Sequence, residues 1–269
     1  MSELPSGNAL VVGINAYTGG ISPLQSAVRD ARAIASALEE QHEYNVTLLI
    51  DEQAAADDIA NQLEQRLPKA LDSESSFLLY FAGHGIARGD GSEGPKGFLI
   101  PHGAAPGKQD TWLSMDRVRE ALQALPCKHL LVILDCCFAG SFRWAATRAV
   151  VWDSGPLYDS QYERFLKGTA WQALTSASYD EKAMDISPGR LNTRDSKAAD
   201  GHSPFAAALM RGLGGDADSS RAGHGSDGVI TATELYQYVF EELVPPGASI
   251  HQTPGIWPLK PDNTGQFIF

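Results

Sequence analysis

From His129 to Gly140 the chain reads His-Leu-Leu-Val-Ile-Leu-Asp-Cys-Cys-Phe-Ala-Gly. It is apolar from Leu130 to Leu134 and again at Cys136, with Asp135 the only interruption. A continuous apolar run of this length is the pattern of a strand buried on both faces of a parallel sheet. At its carboxyl end the run gives way to a carboxylate, two thiols and a small-residue turn. Open α/β sheets bind ligands beyond the carboxyl ends of their strands, so a thiol here is placed to react. Free cysteines are also commonly buried and inert, and this stretch by itself leaves both readings open.

Ser76 to Gly85 (Ser-Phe-Leu-Leu-Tyr-Phe-Ala-Gly-His-Gly) repeats the design. An apolar strand ends in His84, held between two glycines, where the ring is sterically open and the flanking N–H groups are free to face a ligand. Two parallel strands that end in His and Cys supply the parts of a cysteine-nucleophile site. The pair is far more specific than either member.

Phe81-Ala82-Gly83-His84-Gly85 together with Asp135-Cys136-Cys137-Phe138-Ala139-Gly140 resembles the caspase-like cysteine peptidases, on the metacaspase and bacterial orthocaspase side. His84 precedes Cys137 by 53 residues, close to the caspase separation of about 50. The Gln-Ala-Cys motif of the Asp-specific caspases is absent. The resemblance implies an α/β caspase-like fold, a mostly parallel central sheet flanked by helices on both faces. It implies one peptidase domain over residues 1–269, with a large-subunit-like part at about 8–142, a linker at about 143–168 and a small-subunit-like part at about 169–269.

Alignment with the family motif makes Cys137 the nucleophile and Cys136 the intervening residue. It makes His84 the proton-transfer partner, and the backbone N–H groups of Gly85 and Cys137 the oxyanion donors. The Asp30 segment, Leu24-Gln-Ser-Ala-Val-Arg-Asp30-Ala, resembles the metacaspase segment whose aspartate lines the pocket for the residue before the cut. Asp135 stands two residues before the nucleophile, at the same mouth. Two carboxylates in one pocket repel unless a cation lies between them. A guanidinium supplies that cation through a planar fork, so Arg is expected before Lys and acidic residues are rejected. Relatives often carry Ser where this chain has Ala82, so one polar contact is missing.

Composition agrees. The hydrophobic fraction of 43% suffices for a sizeable core, and 9% aromatics argue against disorder. A net charge of −12 makes nucleic acid or an anionic membrane surface an unsuitable partner. Three cysteines, two adjacent, form no disulfide framework and suit a reducing cytoplasm. The first residues, Met-Ser-Glu-Leu-Pro-Ser-Gly, have no signal-peptide pattern. No run reaches the ~18 apolar residues of a membrane span. The expected partners are protein or peptide substrates with a basic residue before the cut, together with an upstream activator or regulatory protein.

The remaining chain reads as alternating elements. Asn8–Ala16 is a strand, and a helix follows from Ser22. Tyr44–Ile50 is a second strand, and Asp57–Leu71 an amphipathic helix. Gly97–Pro101 is a short strand, Ser114–Leu125 a helix, Thr169–Ala177 a strand. Helices follow from His202 to Leu213 and from Thr233 to Leu243, and Gly265–Phe269 is an edge strand. Ser141–Lys167 and Ser178–Gly201 read as loops whose Arg and Lys residues are candidate self-cleavage points.

No cofactor or metal is expected. Gly228 as the sixth position of a calcium loop would put Gly223 and Gly225 where carboxylates are required. Thr231 with Glu234 makes a capping box instead. His102, His129, His202, His224 and His251 have no partner at metal-ligand spacing. Calcium-dependent metacaspases carry carboxylates where this chain has Ile100-Pro101-His102-Gly103 and Trp144, so calcium independence is expected. Two other classes stay open: a catalytically inactive caspase-like interaction module, and another cysteine hydrolase or transferase on a similar sheet.

Overall fold

The computed structural model describes residues 7–88, 96–137, 165, 167–177, 183, 185, 201–218, 228–244, 252–260 and 263–269. In chain order the elements are β1 (Gly7–Gly13), α1 (Ala27–His42), β2 (Asn45–Ile50), α2 (Ala56–Asn61), a π-turn (Gln62–Arg66), α3 (Leu67–Ala70), β3 (Ser76–Ala82), β4 (Gly85–Arg88), β5 (Lys96–Leu99), β6 (Leu113–Ser114), α4 (Met115–Gln123), β7 (His129–Asp135), β8 (Ala170–Thr175), α5 (Pro204–Leu213), α6 (Ala232–Leu243) and β9 (Gly255–Pro258).

Six strands form the central sheet in the order β2-β1-β3-β7-β8-β9, parallel except for β9. The two strands read first from the sequence, β3 and β7, lie side by side at its centre, and every residue of both is buried. That explains why their apolar runs are continuous: each face is covered by helices. One face carries α2, α3 and α4, with Ile59, Leu63 and Val118 packed on Leu79, Phe81 and Val132. The other carries α1, α5 and α6, with Ile34, Leu209 and Leu235 packed on Tyr80, Leu131 and Ile133. Truncating a fully buried residue such as Leu131 to Ala costs about 2–5 kcal/mol in such a core. The chain is thus a mixed α/β protein with a mostly parallel six-stranded sheet between helical layers. Strands β4, β5 and β6 make a separate antiparallel sheet.

Three elements differ from the sequence reading. Helix α1 begins at Ala27 rather than near Ser22, because Leu24 N–H donates to the Asn15 carbonyl and Val28 N–H to the Asn15 side chain. These bonds pin the entry segment in a non-helical path. The segment read as one helix from Asp57 to Leu71 contains the π-turn, in which Leu67 N–H reaches Gln62 O. Pro68 lacks the N–H that would continue the ladder to residue 64, and the turn widens before it. The edge strand is Gly255–Pro258, antiparallel to β8, with Pro258 at its end, as an edge tolerates. Gly265–Phe269 is not a strand of the sheet. Its Phe267 is fully buried, Ile268 forms an isolated bridge to Thr231, and Phe267 N–H donates to the Gln172 side chain.

The capping box is present: the Thr231 and Glu234 side chains each take the other's backbone N–H at the start of α6. Most of the expected linker at 143–168, the Ser178–Gly201 loop apart from 183, 185 and 201, and Trp144, His224 and His251 lie outside the described residues. Among the described residues no helix is long and apolar enough to cross a membrane, and no group of three His, Cys, Asp or Glu could hold a metal ion.

Candidate active site

The register of the central strands sets the geometry. Ala82 at the end of β3 pairs with Asp135 at the end of β7. His84 and Cys137 each stand two residues beyond that pair, so imidazole and thiol leave the sheet at neighbouring strand ends. Alternation along β7 turns Asp135, like Ile133 and Leu131, to the face that carries α1 and α5. Gly85 sits where a Cβ would collide with the Cys137 carbonyl and come within 3.0 Å of Cys136 Sγ. Only glycine lets the two strand ends approach this closely.

His84 is held from several sides. Its Nε2 is 2.8 Å from the Ser22 carbonyl, which makes Nε2–H the donor and leaves Nδ1 as the nitrogen that can exchange a proton. Tyr17 lies against the ring at 4.6 Å between centroids. The Tyr17 hydroxyl accepts the His84 backbone N–H at 2.9 Å and donates to the Ile100 carbonyl at 3.1 Å. Gly83 N–H donates to the Asp135 carbonyl at 3.3 Å. Of the two glycine N–H groups expected to face a ligand, that of Gly83 is therefore engaged within the protein, as is that of His84 itself.

The adjacent thiols have opposite environments. Cys136 is 1% exposed in the core, where burial first, then the Cys137 and Asp135 charges, push its thiol well above the ordinary range. Cys137 is half-buried and lines the cleft, its Sγ 3.9 Å from the Ala183 carbonyl. Only the latter combines access with a neighbouring imidazole, as a reactive thiol requires.

The cleft, about 70 Å³, is lined by His84, Cys137, Asp30, Asp135, Asp185 and Ser203 among others. Asp30 projects from α1 with no exposure, so its carboxylate is held entirely by protein donors. Ser203 N–H reaches it at 3.2 Å and His202 Nδ1 at 2.7 Å. Burial raises its pKa, opposed by hydrogen bonds from Ser26, His202 and Ser203. Asp135 accepts the Ser203 hydroxyl at 2.8 Å. Burial, then the nearby Asp30 charge, push Asp135 up to about 7, against the lowering effect of Ser203. Ser203 is the N-cap of α5, and its Oγ also accepts Ala206 N–H at 3.0 Å. Both acids thus sit at a helix N-terminus, where the macrodipole favours negative charge.

Asp185, not singled out from the sequence, places its carboxylate on the N-terminus of α1, accepting Gln25 N–H at 2.9 Å and Ser26 N–H at 3.1 Å. It is a third acid at the cleft. The sequence readings of Cys137, His84, Gly85, Asp30 and Asp135 all fall on this one end of the sheet. Ser22, Tyr17, Asp185, His202 and Ser203 were missed. Ser22 acts through its main chain, which no side-chain motif can report. The others are joined to the site only by tertiary folding.

A parallel sheet that presents imidazole and thiol at adjacent strand ends is the arrangement of the caspase-like proteins. The caspase domain family, Peptidase_C14, matches residues 6–224, and the chain belongs to it. The crystal structure of protein GSU0716 from Geobacter sulfurreducens is similar in fold, with a TM-score of 0.61 and 16% identity over 97% of this chain and 100% of that one. No curated protein matches the sequence.

Proposed function

We propose that the protein is a cysteine endopeptidase that cuts protein chains after Arg, and less readily after Lys, through a Cys137–His84 dyad. The observation that carries this reading is the convergence of Cys137, His84 and three carboxylates in one cleft at the carboxyl end of the sheet.

In the proposed reaction the Cys137 proton passes to His84 and the thiolate attacks the scissile carbonyl. The carbonyl oxygen becomes an oxyanion, facing the N–H groups of Gly85 and Cys137. Donors of this kind are worth about 3 kcal/mol each in other proteases. The C–N bond breaks as His84 returns the proton to the leaving amine. Water then hydrolyses the thioester, releasing a carboxylate and restoring the thiol. The Ser22 carbonyl fixes the ring orientation and tautomer, the task a carboxylate performs in serine-protease triads.

Specificity follows from charge. Asp135 and Asp185 line the cleft, with Asp30 behind them, and a basic side chain neutralises a group of acids that otherwise repel one another. Calcium plays no part in this reading.

Fluorogenic peptides ending in Arg, Lys, Asp and Leu test the proposal, alongside a peptidyl electrophile aimed at Cys137. Arg cleavage above Lys, none after Asp, and labelling lost in Cys137→Ala are expected. A preference for Asp or Leu removes the acidic pocket. The absence of both cleavage and labelling makes the chain a non-catalytic interaction module.

A further inference from the structure

We propose that His202 is the positioning residue of the acidic pocket: its Nδ1–H, beside the Ser203 N–H, keeps Asp30 ionised in full burial, so that the pocket retains the negative charge a basic substrate side chain requires.

The argument begins with a cost. A carboxylate with no exposure loses its hydration and tends to protonate unless donors replace the water. Asp30 is in that position, and His202 Nδ1 stands 2.7 Å from its carboxylate. Ser203 N–H donates to it at 3.2 Å, and the Ser26 side chain makes a further hydrogen bond. His202 is itself placed with care. Gly201 before it has φ of +81°, a conformation side-chain-bearing residues rarely adopt, and Arg29 of α1 packs over its Cα. This turn directs the imidazole inward onto α1, leaving 17% of its side chain exposed.

The groups around Asp30 determine the consequence. Asp135 on β7 repels it, and Asp185 adds a further negative charge on Asp135. The Tyr80 hydroxyl of β3 is near both acids, buried and with no hydrogen-bond partner among the described residues. The His202 ring makes the contact with the carboxylate, while Arg29 packs over Gly201. Removing the ring raises the proton affinity of Asp30, because a lowering interaction is lost while the burial stays. A protonated Asp30 cannot contribute attraction to a substrate guanidinium.

The inference rests on the proposed peptidase activity, and its test has one arm that does not. In the full chain, His202→Ala is expected to raise KM for an Arg peptide about tenfold, the scale of a hydrogen bond to a charged group. KM should change more than kcat, and the effect should be larger at pH 6 than at pH 8. His202→Asn, whose amide can donate from nearly the position of Nδ1, should recover most of the loss. The activity-independent arm follows the Asp30 carboxyl by carbon NMR through a pH titration in Cys137→Ala protein. The Asp30 midpoint should rise in the His202→Ala background and return in His202→Asn. An unmoved midpoint overturns the inference whether or not any peptide is cut. So does an Arg KM that His202→Ala leaves unchanged. Wild-type protein that cuts nothing, with the midpoint shifted as expected, fails the peptidase reading while the role of His202 toward Asp30 stands.

Discussion

Asp135→Asn should stabilise the protein while damaging its recognition of basic residues. Asp135 is buried, and its pKa rises from 3.8 to about 7. Between those values the folded state holds a proton that the unfolded chain has released. This contribution to stability is therefore complete below pH 3.8 and disappears as pH rises toward 7. About three pKa units at 1.36 kcal/mol each give about 4 kcal/mol as the cost of carrying the ionised carboxylate at pH 8. Asparagine keeps an oxygen for the Ser203 hydroxyl, so the hydrogen bond at 2.8 Å has a replacement acceptor. It also removes the charge that repels Asp30. Denaturant unfolding of Cys137→Ala with and without Asp135→Asn, from pH 4 to pH 8, measures the gap. The two curves should nearly meet at pH 4 and separate by about 2–4 kcal/mol at pH 8. In the protein with Cys137 intact, kcat/KM for an Arg peptide should fall about a hundredfold, the cost of one partner lost from a charge-assisted pair. A pH-independent gap, or Asp135→Asn protein less stable than its parent at pH 8, refutes the view that Asp135 is a strained buried acid.

Three further outcomes can be checked directly. Tyr17→Phe leaves the His84 N–H and the Ile100 carbonyl without their shared hydroxyl; it should cost about 1–3 kcal/mol in thermal or denaturant unfolding and lower kcat through a misplaced ring. Cys136→Ala should cost about 1 kcal/mol and keep electrophile labelling, because the buried thiol does not reach the cleft, whereas Cys137→Ala should abolish labelling. Peptidase activity should persist in chelator; activity that vanishes there and returns with millimolar calcium contradicts the reading of Ile100-Pro101-His102-Gly103.

The parts of the fold legible in the sequence were those fixed by local pattern. The apolar runs before His84 and Cys137 read as strands covered on both faces, and the two strands proved adjacent, with Ala82 opposite Asp135. The start of α1 was misread because Pro23 suits a first helical turn and the apolar spacing already begins at Leu24. Ser26 is a natural N-cap residue, yet its side chain makes no cap bond and turns to Asp30 instead. The N–H groups at the helix entry are then met by Asn15 and, across 160 residues of chain, by the Asp185 carboxylate. No periodicity in the polar Ser178–Gly201 loop distinguishes Asp185 from Asp180 or Glu181. The Asp185 carboxylate meets the Gln25 and Ser26 N–H groups, which precede the first helical residue and which a Ser26 cap would not take, so only tertiary folding selects it. The side chain of Ser26 serves Asp30 and its N–H serves Asp185, so both of its polar groups are committed to acids at the cleft. Departures of this kind are expected where a site, rather than an element, dictates the use of a side chain.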